Sequence, residues 1–202
     1  MTELLFSLPA IEWWAVSLAV AYVVLAARNS AWCWPFALVS SALWAYQVWT
    51  AYGLLFDAAL NVFYAGMAVV GLWAWARGSR AEVAAEIRVA PLREHLQWIA
   101  GGLVAAGVCA VLAKAYTTAG LPMLDAVSTV GSVIGTVLLI QRKLANWLYL
   151  LAMDVLYVGI YWERGSVLFA GLFVVYCALA VVGYLNWRRL YAAQGPGSVS
   201  GV

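Results

Sequence analysis

Apolar residues run along this chain in long stretches, and polar residues collect at the breaks between them. The stretches predict seven helical spans, at residues 11–27, 32–52, 54–76, 96–116, 122–141, 144–162 and 166–187. A helix rises ~1.5 Å per residue, so each stretch is about long enough to cross a bilayer core. Gly53 and Gly165 interrupt otherwise continuous apolar sequence and predict tight reversals. Residues 77–95 form the only long polar connection, whose Ala, Glu and Arg content predicts a short surface helix. The tail after Leu190 is rich in Gly, with one Pro, and reads as disordered.

Composition agrees with a polytopic membrane protein. Of 202 residues, 66% are hydrophobic and 10% are charged, whereas a soluble domain carries about 25% charged residues. A net charge of +2, placed in loops, argues against nucleic acid as a partner. Residues 1–10 contain no Lys or Arg and do contain Glu3, so the first apolar run reads as a retained span. Lys114 and Arg164 fall on the N-terminal side of the membrane. Arg28, Arg77, Arg80, Arg88, Arg93, Arg142, Lys143, Arg188 and Arg189 fall on the other. Nine against two predicts an external N-terminus and a cytoplasmic C-terminus. Cys33, Cys109 and Cys177 lie in predicted spans and read as reduced core residues. The one histidine, His95, is expected in a loop without companions at ligand spacing, so no metal site is expected.

The chain also repeats. Residues 53–77 and 165–189 share eleven identities in 25 ungapped positions at an offset of 112. Shared membrane composition explains matches of Ala, Val and Leu. It does not readily keep Gly53, Tyr64, Gly71, Trp75 and Arg77 in register with Gly165, Tyr176, Gly183, Trp187 and Arg189. An even number of spans separates the two copies. The expected fold is therefore all-α, with two parallel three-helix bundles (11–76 and 122–187) joined by one linking span (96–116). A cytoplasmic loop (77–95) and tail (188–202) complete the chain. Parallel repeats of this kind are a known transporter plan.

Candidate chemistry centres on Asp154, near the middle of the sixth span. A carboxylate at that depth costs several kcal/mol unless it is paired, hydrated or protonated. On a 3.6-residue wheel Trp147, Leu150, Asp154, Tyr157 and Tyr161 share a face. Ser40, Trp44 and Gln47 share one on the second span, and Asp57, Asn61, Tyr64 and Gly71 one on the third. The fifth span offers Thr129, Ser132 and Thr136, with Gly131 and Gly135 allowing close helix approach, and the seventh offers Tyr176. Aromatic planes with a few Asn, Gln and Asp groups suit a flat polar heterocycle. The plainer reading makes most Trp residues near span ends (Trp13, Trp14, Trp32, Trp34, Trp73, Trp75, Trp98, Trp162 and Trp187) an interfacial belt, and the Ser and Thr residues helix–helix glue.

Other classes lack their parts. A Ser–His membrane protease needs an intramembrane histidine. A retinal protein needs a lysine on its last span, and residues 166–187 contain none. GxxxxGK[ST] is absent, so the chain is not expected to hydrolyse ATP. No enzyme activity and no cofactor are expected.

The stretches Asn61-Val-Phe-Tyr64, Gly71-Leu-Trp73-Ala-Trp75, Leu124-Asp125-Ala126 and Gln141-Arg-Lys-Leu-Ala-Asn146-Trp147, followed by Asp154, resemble the PnuC family of bacterial vitamin transporters. The resemblance covers residues 32–187. It implies facilitated diffusion of nicotinamide riboside across the inner membrane by a homotrimer with a SWEET-like plan. Uptake would be drawn inward by a cytoplasmic kinase that phosphorylates the vitamin. The family's WxxWxxxN motif stands here as Trp147, Leu150 and Asp154, and a Gln expected in the fifth span stands as Thr136. Asp154 suits a cation, which ranks nicotinamide riboside and thiamine above neutral riboflavin. A membrane sensor that moves nothing is the alternative of another class. Trp147, Asp154, Asn61, Tyr64, Trp44, Gln47, Tyr176 and Thr136 are the expected ligand contacts.

Overall fold

The computed structural model describes residues 10–51, 55–78, 86–116, 122–163, 165 and 167–194. Among them are seven helices: α1 (Ala10–Ala27), α2 (Cys33–Thr50), α3 (Leu55–Gly78), α4 (Leu92–Tyr116), α5 (Pro122–Ile140), α6 (Asn146–Glu163) and α7 (Val167–Ala193). Each falls on a predicted span. Five of them contain a stretch long and apolar enough to cross a membrane: Ala10–Ala27, Ala58–Arg77, Leu92–Leu112, Met123–Ile140 and Phe169–Ala193. The other two, α2 and α6, are the helices whose Ser, Gln, Asp, Trp and Tyr residues were singled out for chemistry. Outward faces are apolar, with Val62, Val69, Leu103, Val104, Val111, Val174 and Val181 all exposed. That is the surface a hydrocarbon solvent requires.

The chain divides into two compact units, Met1–Ala85 and Glu86–Val202. In the first, α2 packs against both α1 and α3. In the second, α4 packs on α5, α5 on α6, and α6 on α7. Several expectations need correcting here. His95 lies in the first turn of α4, not in a loop. Within the polar connection, residues 86–91 form no helix, whereas residues 92–95 belong to α4. Arg88 donates its N–H to the Arg142 carbonyl (3.0 Å) and accepts from the Leu144 N–H (2.8 Å), which binds this segment to the α5–α6 turn. Helix α7 continues six residues beyond the expected end of the bundle, to Ala193. Gly53 and residues 195–202 lie outside the described residues. Gly165 takes φ +72 and donates its N–H to the Trp162 carbonyl (2.9 Å), which closes the α6–α7 reversal.

Each unit contains the same internal lock. In the first, the Trp34 ring lies against Gly71, where an added Cβ would come within 2.5 Å of the indole. Trp75 meets Trp34 edge-on (5.4 Å, 89°). In the second, Trp147 lies against Gly183, where a Cβ would come within 2.7 Å, and Trp187 meets it edge-on (5.6 Å, 87°). All four rings are at most 1% exposed. Trp34, Trp75 and Trp187 are therefore bundle core and not interfacial belt. Trp14, Trp32, Trp73 and Trp162 are exposed, as a belt requires.

The turns repeat as well. Asn29 (φ 53) and Arg142 (φ 52) are the only described non-glycine residues at positive φ, and they stand 113 positions apart. Asn29 donates to the Ala26 carbonyl (2.9 Å) and Ser30 to Leu25 (3.0 Å). Arg142 donates to Leu139 (2.9 Å) and Lys143 to Leu138 (2.9 Å). The duplication thus reaches back from the last helix of each copy to the turn before the tryptophan, with a one-residue shift in offset.

A methyl group at Gly71 or Gly183 must displace an indole in a closed core, a strain of about 1–3 kcal/mol. Gly71→Ala and Gly183→Ala should each lower the unfolding midpoint in detergent by several degrees. Gly171→Ala, with nothing within 4 Å, should not lower it.

Candidate functional site

In the second unit, α6 carries Asp154 half-buried at mid-helix. No hydrogen bond or ion pair reaches its carboxyl from the described residues. Tyr176 and Cys177 of α7 lie within its electrostatic reach. From there toward the α6–α7 turn, aromatic rings of the two helices stack. Tyr157 lies on Phe173 (4.7 Å, 25°), Tyr161 on Phe173 (5.4 Å, 14°) and Tyr161 on Phe169 (5.4 Å, 24°). Phe173 touches Tyr176 edge-on (5.7 Å).

The single α6 face expected from the helical wheel divides in the structure. A row spaced by alternating threes and fours drifts about 20° for every seven residues, so its two ends turn toward different neighbours. Leu150 seats against Gly135, and Met153 against Gly131, both on α5. Trp147 turns into the α7 notch at Gly183, where it is 1% exposed and its Nε1 meets no acceptor among the described residues. Trp147 is therefore a core residue in this conformation and not an open stacking plane. Thr136 donates its hydroxyl to the Ser132 carbonyl (2.9 Å), Ser132 to Ser128 (2.8 Å) and Ser128 to Asp125 (3.1 Å). These protons serve α5's own backbone, the usual outcome for hydroxyls inside a helix.

The first unit holds Trp44 and Gln47 on α2, and Asn61 and Tyr64 on α3. Trp44, Asn61 and Tyr64 are half-buried, whereas Gln47 is buried. Gln47 donates Nε2 to Oε1 of Glu12 (3.1 Å), and Glu12 is 2% exposed. About two helical turns away along α2, Ser40 donates to the Ala15 carbonyl (2.8 Å). Sequence reading missed Glu12. The available signal was a carboxylate inside the first apolar run, facing a Gln near the far end of the next, antiparallel run.

At one end of the second unit, Lys143 pairs with Glu94, which also accepts from Trp98 Nε1 (3.1 Å). His95 Nδ1 lies 3.1 Å from the Tyr149 hydroxyl, with the two rings stacked. This cluster ties α4 to the α5–α6 turn and to α6. No group of three or more His, Cys, Asp or Glu among the described residues could hold a metal ion.

Apolar outward faces and several helices of bilayer length define a multi-pass α-helical membrane protein. The chain belongs to the nicotinamide mononucleotide transporter family, whose sequence profile matches residues 9–189. It is 28% identical over 167 residues to the nicotinamide riboside transporter PnuC of Neisseria mucosa, an alignment covering 77% of this chain and 63% of the relative. The match thus spans less than two thirds of that relative's length. Its fold resembles the crystal structure of the vitamin B3 transporter PnuC (TM-score 0.73, 23% identity, 92% of this chain and 83% of that one).

A double-mutant cycle tests the buried Glu12–Gln47 pair. Gln47→Leu should destabilise the protein by about 1–3 kcal/mol, because it removes a hydrogen bond from a buried carboxylate. Glu12→Leu combined with Gln47→Leu should recover part of that loss in chemical unfolding. Strictly additive losses would mean that the two groups do not depend on each other.

Proposed function

We propose that this protein carries nicotinamide riboside across a bacterial inner membrane by facilitated diffusion, with its N-terminus outside and its C-terminus in the cytoplasm. The observation that carries the reading is Asp154, a half-buried mid-helix carboxyl that no described side chain pairs, set beside Tyr176 and the stacked rings of α6 and α7. A carboxylate in apolar surroundings is stabilised by a bound cation. Nicotinamide riboside supplies one as a flat pyridinium. Its ribose hydroxyls call for hydrogen-bonding groups. The transporter family and the nicotinamide riboside transporter of Neisseria mucosa support the same substrate class. The nine-to-two distribution of Lys and Arg supports the orientation.

A facilitator only equalises concentrations, so net uptake needs a sink. A cytoplasmic kinase that phosphorylates the vitamin provides it, because the charged product no longer fits a site built for a cation. We further propose a homotrimer in the membrane, with the 3+1+3 helix plan. Thiamine, also a flat cation, is the second substrate the site would accept, ahead of riboflavin.

Proteoliposomes test this reading. Vesicles loaded with a nicotinamide riboside kinase and ATP should accumulate labelled vitamin well above the external level, and vesicles without kinase should only equilibrate. Binding without flux would instead identify a sensor. Asp154→Ala should weaken vitamin binding at least tenfold by calorimetry, the size of a lost charge-assisted contact of ~1.5–3 kcal/mol. Unchanged binding would make Asp154 structural.

A further inference from the structure

The helices around Asp154 supply no positive charge. Asp154 is the only Asp, Glu, Lys, Arg or His in residues 144–162. The helices packed on α6 add none at that depth, since residues 126–140 of α5 and 167–187 of α7 contain no such side chain. The ionisable groups that α7 brings near it are the Tyr176 hydroxyl and the Cys177 thiol. On α6 itself they are Tyr149, Tyr157 and Tyr161. On α5 the one acid, Asp125, stands about 9 Å along the axis from the Gly131 notch that takes Met153. The repeat carries the mid-helix acid once. At the offset of the shared turns Asp154 matches Ser41, and the buried acid of the first unit, Glu12, accepts from Gln47 at a span end.

A carboxyl in such surroundings loses its charge imbalance in two ways, by holding a proton or by holding a cation. The two compete for the same oxygens. The ring nitrogen of nicotinamide riboside is quaternary and has no proton to give up. The exchangeable proton therefore belongs to the carboxyl.

We propose that Asp154 makes this protein a proton exchanger, which returns one proton outward for each vitamin cation it brings in. As the cation enters from outside, the carboxyl O–H bond breaks and its proton passes to the external water. When the cation leaves inward, a proton from the cytoplasmic water re-forms that bond. The carboxyl is neutralised on both crossings, by the cation going in and by the proton going out. One positive charge moves each way, so the cycle is electroneutral and no bare carboxylate crosses. At equal pH on both sides such an exchanger only equalises the vitamin, and the kinase remains the sink. The inference rests on the reading of this protein as a carrier of a cationic vitamin, and its test keeps the two separate.

Proteoliposomes of the full chain, without kinase or ATP, carry the test. With the interior one pH unit more acidic than the exterior, labelled nicotinamide riboside should accumulate toward about tenfold, because a one-for-one exchange equalises the proton and cation ratios. The reverse gradient should deplete it to the same extent. An inside-negative potassium diffusion potential at equal pH should leave it at the external level. Asp154→Asn keeps the outline and removes the proton, so it should equilibrate the vitamin more slowly and to one level at every pH difference. If that variant moves nothing, the wild-type gradients decide, together with calorimetry in buffers of different ionisation enthalpy. At about pH 6 the wild-type protein should release about one proton per vitamin bound. Accumulation that follows the potential and ignores the pH difference, or binding without proton release, would overturn the exchange and leave cation transport standing. A pH response that survives in Asp154→Asn would overturn Asp154 as the proton site. A wild-type protein that moves no vitamin would overturn the functional reading and this inference with it.

Discussion

A carboxyl group held at the middle of a helix in an apolar environment is the constraint on which this structure turns. Burial there favours the neutral acid or a paired charge, and the described side chains offer Asp154 no ion pair. Its immediate surroundings are a tyrosine, a cysteine and a row of stacked rings. On the proposed reading, such a site is stabilised by a cation that arrives and leaves. A permanent lysine or arginine partner would satisfy the carboxylate and leave no part for such a cation.

The remainder of the fold keeps this group in place without using it. In each unit an indole sits over a glycine and is braced edge-on by a second indole, so that three residues lock a helix pair. The lock lies toward one end of the helices and leaves the mid-helix faces to diverge. In the first unit the far end of α2 is closed by Gln47 on Glu12. The residue that matches Gln47 in the second unit is Ile160, equally buried and apolar. One duplicated scaffold therefore carries a polar closure in one copy and an apolar closure with an aromatic row in the other. The glycines on α5 hold the same helix from another neighbour, since Gly131 and Gly135 let Met153 and Leu150 of α6 seat directly on the α5 backbone.

Much of this was legible in the residues. Hydrophobic runs located all seven helices, because a membrane span must be continuous and apolar whatever its neighbours are. The third-helix repeat was visible because Gly, Tyr, Gly, Trp and Arg kept register. The earlier part of each copy was hidden by a one-residue shift, which also hid the match between Trp34 and Trp147. That is why Trp75 and Trp187 read as interfacial belt. Their positions near span ends fit a belt, and only the glycine notch opposite Trp34 and Trp147 shows that the rings turn inward. Trp147 misled for a related reason. A helical wheel places it on the Asp154 face, but a bulky ring follows the nearest notch, and Gly183 supplies one. Glu12 escaped because a carboxylate near a span end is ordinarily solvated, and its burial depends on a partner 35 residues away. The hydroxyls of α5 show the opposite case, where residue type suggested ligand contact and local backbone geometry claimed the protons first.

A structure of the full chain in lipid with nicotinamide riboside bound bears most directly on the central claim. The account predicts the pyridinium ring beside the α6–α7 aromatic row with its positive nitrogen facing the Asp154 carboxylate. A vitamin bound elsewhere, with the Asp154 side chain still facing only protein, would contradict it.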